Sequence, residues 1–283
     1  MEIISKIVPV NFNLFLFGDT HIGNSHVTYK GIQKAIDMIG SEYSGLRENY
    51  AIHMGDVTEC IYMNDPRFRP VDGTVVGTLD SEKEEAVKIL KPIRSRLITI
   101  LKGNHEDKMW AVSNPTKQIC SELKVPYGSY SCRISFQDKR GNLLFKGFFA
   151  HGRKQISSTA DDPRRREENM RLILKRHLKD LAGDCVLMAK GDTHKLLICD
   201  PSPRLYLRDT GTEIQDAYTE AEYTDRYIHP DDRWYVNSGS FMRLQIVGKE
   251  SYAERAELPP VELGFAIVRF RDRKIEGIDK VTL

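Results

Sequence analysis

Phe12-Asn13-Leu14-Phe15-Leu16-Phe17-Gly18-Asp19-Thr20-His21 is an apolar run that ends at a glycine and passes directly to an aspartate and a histidine. A run of that length, rich in aromatic and aliphatic residues, reads as a buried strand, with Asp19 and His21 placed where it runs out. The same grammar recurs downstream. Tyr50 to Gly55 precedes Asp56, Leu97 to Lys102 precedes Gly103-Asn104-His105-Glu106, and Leu143 to Ala150 precedes His151-Gly152. Residues 185–190 precede Gly191-Asp192-Thr193-His194. Strand ends that bring Asp, Asn and His to one edge of a sheet supply the donors a two-metal hydrolytic site needs.

Between these strands the periodicity changes. Ile32, Ala35, Ile36 and Ile39 follow at helical spacing, and Ser81 to Pro92 reads as a helix opened by a capping box of Ser81 and Glu84. Strand–helix–strand alternation predicts parallel neighbours joined by crossover helices. After residue 125 the pattern shifts to a hairpin, 129–137 and 143–150 around Asp138-Lys139-Arg140-Gly141. A helix is predicted from Pro163, with Met170, Ile173, Leu174, His177, Leu178 and Leu181 on one face. Further strands are predicted at 195–200, 204–208, 233–236, 240–247, 264–271 and 274–281. Residues 209–233 are polar and tyrosine-rich and read as a long loop or small insertion. No repeat or second domain is evident, so 1–283 is taken as one domain.

Composition sets the class. The chain has 283 residues, 40% hydrophobic and 29% charged, with a net charge of +2. These are values of an ordinary globular protein, with no global drive toward nucleic acid or anionic membrane. Five scattered cysteines without a C-x-x-C pair argue for reduced thiols and against a zinc ribbon. Phe12 to Phe17 is too short and too polar at Asn13 for a signal core, and no window is long enough to span a membrane. A cytoplasmic protein is expected.

The order D-x-H, G-D, G-N-H-E, H-G and G-x-x-H, spread over about residues 12 to 240, resembles the calcineurin-like metallophosphoesterase family. The resemblance implies an α/β fold, a four-layer α/β/β/α sandwich with mixed sheets. It also implies two divalent metal ions, Mn²⁺ first, with Mg²⁺, Fe, Zn²⁺ and Ni²⁺ as the other candidates. Asp19 and His21 would bind the first ion, Asp56 would bridge, Asn104 and His151 would bind the second, and His194 would return to the first. The family's closing G-H-x-H has Asp192 in place of its first histidine here. A carboxylate there would complete the second site and harden it toward Mn²⁺ or Mg²⁺; otherwise Asp192 turns away and that ion is weakly held.

By the same resemblance His105 is the general acid that protonates the leaving oxygen, with Glu59 as its carboxylate partner. Arg153 and Lys154, next to His151, are candidate substrate-binding cations together with Asn104. Asn237-Ser238-Gly239-Ser240 resembles the family's N-P-G-S supporting turn. His26, His177 and His229 match no motif element, and His53 reads as a core or supporting residue. Residues 153–179 hold nine basic and four acidic side chains, either a solvated helix face or a track for a nucleic-acid backbone. Trp110 reads as core, with base stacking as the other option.

The expected activity is hydrolysis of a phosphodiester, as a phosphodiesterase or nuclease using a metal-bound hydroxide. The alternatives are a phosphomonoesterase of the protein-phosphatase type and a degenerate scaffold with the same fold. The phosphatase motif G-D-x-x-D-R-G is not matched, because the chain reads Gly55-Asp56-Val57-Thr58-Glu59-Cys60-Ile61.

Overall fold

The computed structural model describes residues 1–61, 65, 78–220, 223, 226–248 and 252–283. It is a mixed α/β fold with two large sheets. The first has five strands: β2 (Phe12–Phe17), β3 (Asn49–His53) and β4 (Leu97–Ile100), flanked by β12 (Gly264–Arg271) and β13 (Lys274–Thr282). Their order is β13-β12-β2-β3-β4, with β2, β3 and β4 parallel and β12 antiparallel to β2. The second sheet contains β1 (Glu2–Ile7), β5 (Ser131–Gln137), β6 (Leu143–Ala150), β7 (Leu187–Lys190), β8 (Leu196–Cys199) and β11 (Trp234–Ser238). Its order is β1-β5-β6-β7-β11-β8, with β6, β7 and β11 parallel. A separate ribbon pairs β9 (Leu205–Asp209) with β10 (Ile214–Tyr218).

All six residues of β2 are buried, as a central strand covered on both faces requires. Successive side chains point to opposite faces, and the core divides accordingly. Phe12, Leu14 and Leu16 join Phe136, Phe145, Val236 and Phe270 in a cluster drawn from both sheets. Its stacked rings include Phe136 and Phe145 at 4.4 Å between centroids, a contact worth about 0.5–1.5 kcal/mol beyond burial. Phe15 and Phe17 face the other way, toward α1 (Tyr29–Gly40), α2 (Leu79–Leu90) and α4 (Pro115–Leu123). On the second sheet, Leu174 and Leu178 of α5 (Pro163–Leu178) pack with Phe148, Met188 and Tyr235. Two short helices complete the set, α3 (Asn104–Asp107) and α6 (Tyr252–Arg255).

Several expectations are corrected. The second helix is capped by Thr78, not Ser81; the Thr78 hydroxyl accepts from the Ser81 amide and the Ser81 hydroxyl accepts from the Thr78 amide. Residues 240–247 form no strand. Phe241 is buried beside Phe265, and Met242 makes a single bridge to Val27. β1 and α4 were not anticipated, and β10 lies inside the stretch read as a long loop or small insertion. Trp110 is 77% exposed rather than packed in the core, and Leu181 is also exposed. All five cysteines are free thiols. Among the described residues no helix is long and apolar enough to cross a membrane.

Candidate metal centre

Five parallel-running strands end at the same place. Asp19 and His21 follow β2, Asp56 follows β3, Asn104 and His105 follow β4 in the first turn of α3, His151 follows β6, and Asp192 and His194 follow β7. Carboxyl ends of parallel strands are where an α/β sheet presents its ligand sites. The loops are laced together by their backbones. Asp19 N–H donates to Gly55 O at 2.9 Å, His21 N–H to Asp56 O at 3.0 Å, and Gly191 N–H to His151 O at 3.1 Å. Carboxylates join in: Asp56 Oδ1 accepts from His105 N at 2.9 Å and Asp19 Oδ2 from Asp192 N at 3.2 Å.

This lacing requires unusual backbone. Asp19, His21, Asp56, Asp192 and His194 all have φ between 42° and 71°, a left-handed conformation that costs a non-glycine residue about 1–2 kcal/mol. Such strain persists only where the surroundings over-determine it. Glycine is needed beside them. A Cβ on Gly103 would lie 1.9 Å from Asp56 Oδ1, and one on Gly55 would lie 2.5 Å from His151 Nδ1.

The donor atoms of each candidate group lie within 4.8 Å of one another. His151 Nδ1–H donates to Met54 O at 2.8 Å, so Nε2 is the nitrogen that faces Asn104 Oδ1 at 3.1 Å and Asp56 Oδ2 at 3.3 Å. His21 Nδ1 is committed to Glu59 Oε2 at 2.9 Å, so its Nε2 faces His194 Nε2 at 3.2 Å. Asp19 Oδ1 and Asp192 Oδ2 are buried without a hydrogen-bond partner among the described residues. An unsatisfied buried acceptor of this kind costs about 1–3 kcal/mol, more if charged. Asp19, His21 and His194 form one group that could hold a cation, and Asp19, Asp56 and His151 another. His21, Asp56 and His105 form a third. Facing lone pairs and orphaned carboxylate oxygens fit divalent ions, and the oxygen–imidazole donor set suits Mn, Fe, Mg or Zn.

Electrostatics agree. Burial pushes the Asp19 carboxyl up, and Asp56 and Asp192 push the same way, to about 7 against the pull of His151 and His21. Burial also raises Asp56, but His151 and His105 outweigh it and hold the group well below the usual carboxylate range. Burial opposes charge on His21 and His151, yet the bond to Glu59 lifts the first to about 9, and Asp56 and Asp19 lift the second to about 10. Burial, with His21 next, drops His194 to about 3, so it is a neutral donor. Without a metal, protons on His21 and His151 take the cation's place.

The neighbouring residues are arranged as follows. His105 Nδ1 bonds the main-chain oxygen of Glu59 at 2.6 Å and lies 3.6 Å from its carboxylate, which makes its shorter contact with His21. Arg153 Nη2 is 3.0 Å from Asp107 Oδ2 and its charge also acts on Asp192, and Lys154 accepts at its carbonyl from Lys190 at 2.7 Å.

Glu106 and Asp107 are supports that went unread in the sequence, whereas His53 and the 237–240 turn were read as supporting residues. Glu106 accepts from the amides of Val57, Thr58 and Gly103, fixing the Asp56 loop to α3; its position three residues after Gly103 was the available signal. Asp107 gathers Lys102 at 2.7 Å, Tyr130 and Arg153. His53 bonds Thr20 at 3.0 Å, and burial holds it neutral, with its value lowered to about 3. Ser240 bonds the Asp19 carbonyl, placing the 237–240 turn against the centre.

The centre opens into a cleft of about 1510 Å³ lined by His21, Asp56, Asn104, His105, Asp192 and His194, and beyond them by residues of 155–170, 193–197, 242–244 and 254–262.

No family model matches the chain, and no curated protein matches it. Among solved structures it is similar to that of Haemophilus influenzae NAD nucleotidase (NadN), with 13% identity and a TM-score of 0.41 over 96% of this chain and 50% of that one. The chain therefore spans about half the length of that structure.

Proposed function

We propose that the protein is a two-metal-dependent phosphoesterase of the calcineurin-like type, acting on phosphodiesters in preference to monoesters. The reading includes a single four-layer α/β/β/α domain over 1–283 with an insertion at 209–233. The observation that carries it is the pair of groups formed by Asp19 with His21 and His194 and by Asp19 with Asp56 and His151, the donor atoms of each within 4.8 Å of one another, beside Asp19 Oδ1 and Asp192 Oδ2, which have no hydrogen-bond partner among the described residues. Asp19, His21, Asp56 and His194 would hold one ion; Asp56, Asn104, His151 and Asp192 would hold the other. When bound, such ions polarise phosphoryl oxygens and lower the pKa of water.

The chain's own residues supply the rest. Bonding of His105 Nδ1 to the Glu59 carbonyl commits that nitrogen, so Nε2 carries the proton given to the leaving oxygen. The Glu59 carboxylate lies 3.6 Å from that Nδ1. Asn104 orients phosphate oxygens beside it. A diester is supported by the cleft, which continues well past the donors and leaves room for a second ester substituent besides the leaving group.

Nucleic acid as that diester draws less support. Of the basic side chains in 153–179, Arg171, Lys175 and Lys179 are ion-paired, and Arg166 is the one lining the cleft among the described residues.

The test is hydrolysis of bis-p-nitrophenyl phosphate and p-nitrophenyl phosphate with added Mn²⁺, with His105→Ala in parallel. Diester turnover lost in His105→Ala supports the reading, and monoester preference shifts it to a phosphatase. No turnover with Mn²⁺, Mg²⁺, Fe²⁺, Zn²⁺ or Ni²⁺ refutes it and leaves the scaffold.

A further inference from the structure

The wall of the cleft beyond the metal donors has a chemistry of its own. Met170 of α5, Leu197 of β8, Met242, Leu244, Leu258 and the Pro259–Val261 run line it. None of the described lining residues is Phe, Tyr or Trp. Nucleobases are held by aromatic or guanidinium stacking and by convergent polar groups at the base edge. The aliphatic side chains and prolines of this wall offer neither; the guanidinium groups on the lining are Arg166, bonded to Ala160 O, and Arg255.

Charge points the same way. Outside the donors the cleft carries Arg166, Lys195, Arg255 and Lys280 against Glu167, Glu254 and Glu262. Several of these are already engaged: Lys280 lies 3.5 Å from Glu167, Arg166 Nε donates to Ala160 O at 2.8 Å, and Lys195 Nζ donates to Ile156 O at 2.6 Å. A nearly neutral wall with three of its four named cations engaged is a poor track for a polyanion, whose affinity comes from phosphate contacts. The apolar surface is substantial and open to solvent in part, since Leu258 is 36% exposed. A volume of about 1510 Å³ exceeds the roughly 300–1,000 Å³ of a pocket for a compact small molecule.

We propose that this wall binds an aliphatic chain esterified to the phosphate, so that the substrate is an alkyl or acyl-bearing phosphoester with its phosphorus at the metal donors. The proposal rests on the phosphoesterase reading. Hydrolysis adds water across the phosphorus–oxygen bond and releases the chain-bearing alcohol, which takes its proton from His105.

The test is calorimetric titration of the Mn²⁺-loaded protein with butyl, hexyl and octyl phosphate below their micelle concentrations, and with thymidine 5′-phosphate. Affinity should rise about two- to fourfold per methylene, the upper figure corresponding to full burial. Octyl phosphate should therefore bind at least tenfold tighter than butyl phosphate and tighter than the nucleotide. Leu258→Asp, at a partly exposed position, should flatten the chain-length series with the thermal midpoint unchanged.

A flat series in the wild-type protein, or preference for the nucleotide, overturns the inference whatever the variant does. A rising series in a protein that hydrolyses neither diesters nor monoesters refutes the phosphoesterase reading and leaves the aliphatic site standing. A flat series in a protein that does hydrolyse diesters leaves the activity and removes the aliphatic site.

Discussion

Glu59 Oε2 lies 2.9 Å from Nδ1 of His21, and the His21 Nε2 beyond it faces His194 across 3.2 Å. A carboxylate behind an imidazole fixes its ring orientation and makes the outer nitrogen a better donor. Glu59 is thereby a positioning residue for the first donor set as well as a neighbour of His105.

Glu59→Gln should therefore weaken Mn²⁺ binding by about 10- to 100-fold. Calorimetry of the metal-free protein checks it. Unchanged metal affinity with a shifted alkaline limb in the pH–rate profile would assign Glu59 to His105 alone.

His105→Ala should lower kcat for bis-p-nitrophenyl phosphate by about 10²- to 10⁴-fold, the range for a general acid. Metal content by mass spectrometry should stay the same. A variant that loses an ion would make His105 a ligand instead, in line with its place beside His21 and Asp56.

Asp192→Ala removes a carboxylate whose Oδ2 is buried and unpartnered. It should reduce bound Mn²⁺ from two ions to one, and Asp192→His should restore the second. Two ions bound in Asp192→Ala would show that the residue is no ligand.

Gly103→Ala places a methyl where Asp56 Oδ1 and Asp56 N already sit, 1.9 and 2.2 Å from the new carbon. The backbone has to move, and the bond from His105 N to Asp56 moves with it. Loss of stability of about 2 kcal/mol or more, in the range for overpacking a tight site, should appear in denaturant titration together with lost metal binding.

The metal-free protein should become less stable as pH rises above neutrality. His21 and His151 have folded values raised to about 9 and about 10, above the 6.5 of the unfolded chain. Their contribution is fully present below 6.5 and is lost as pH climbs through the folded values. Differential scanning calorimetry in EDTA should show the midpoint falling by at least about 5 °C between pH 7 and 9.5. With Mn²⁺ present the fall should shrink, because the ions take the place of those protons.

The strands β2, β4 and β7 that carry donors were legible because they are buried along their whole length and read as apolar runs. β1 was not, since Glu2-Ile3-Ile4-Ser5-Lys6-Ile7 lies at a sheet edge with most side chains outward. α4 opens with an Asn114 cap and Pro115, but its short apolar stripe of Ile119, Cys120 and Leu123 gave a weak period. The capping box slipped because Thr78 and Ser81 compete for one role, and only the helix start decides between them. Asp19, Asp56 and His151 could be picked out by type and neighbours. The pairing of Glu59 with His21 could not, since it depends on the Ile22 to Thr58 bridge that aligns two loops.

The donors are spread from Asp19 to His194 and come from both sheets. A chain emerging from the ribosome holds Asp19, His21 and Asp56 long before Asp192 and His194 appear. The centre therefore cannot close until the second sheet has been synthesised and docked on the first. On the two-metal reading, metal capture would be a late event of biosynthesis, and a truncated chain would lack part of the donor set.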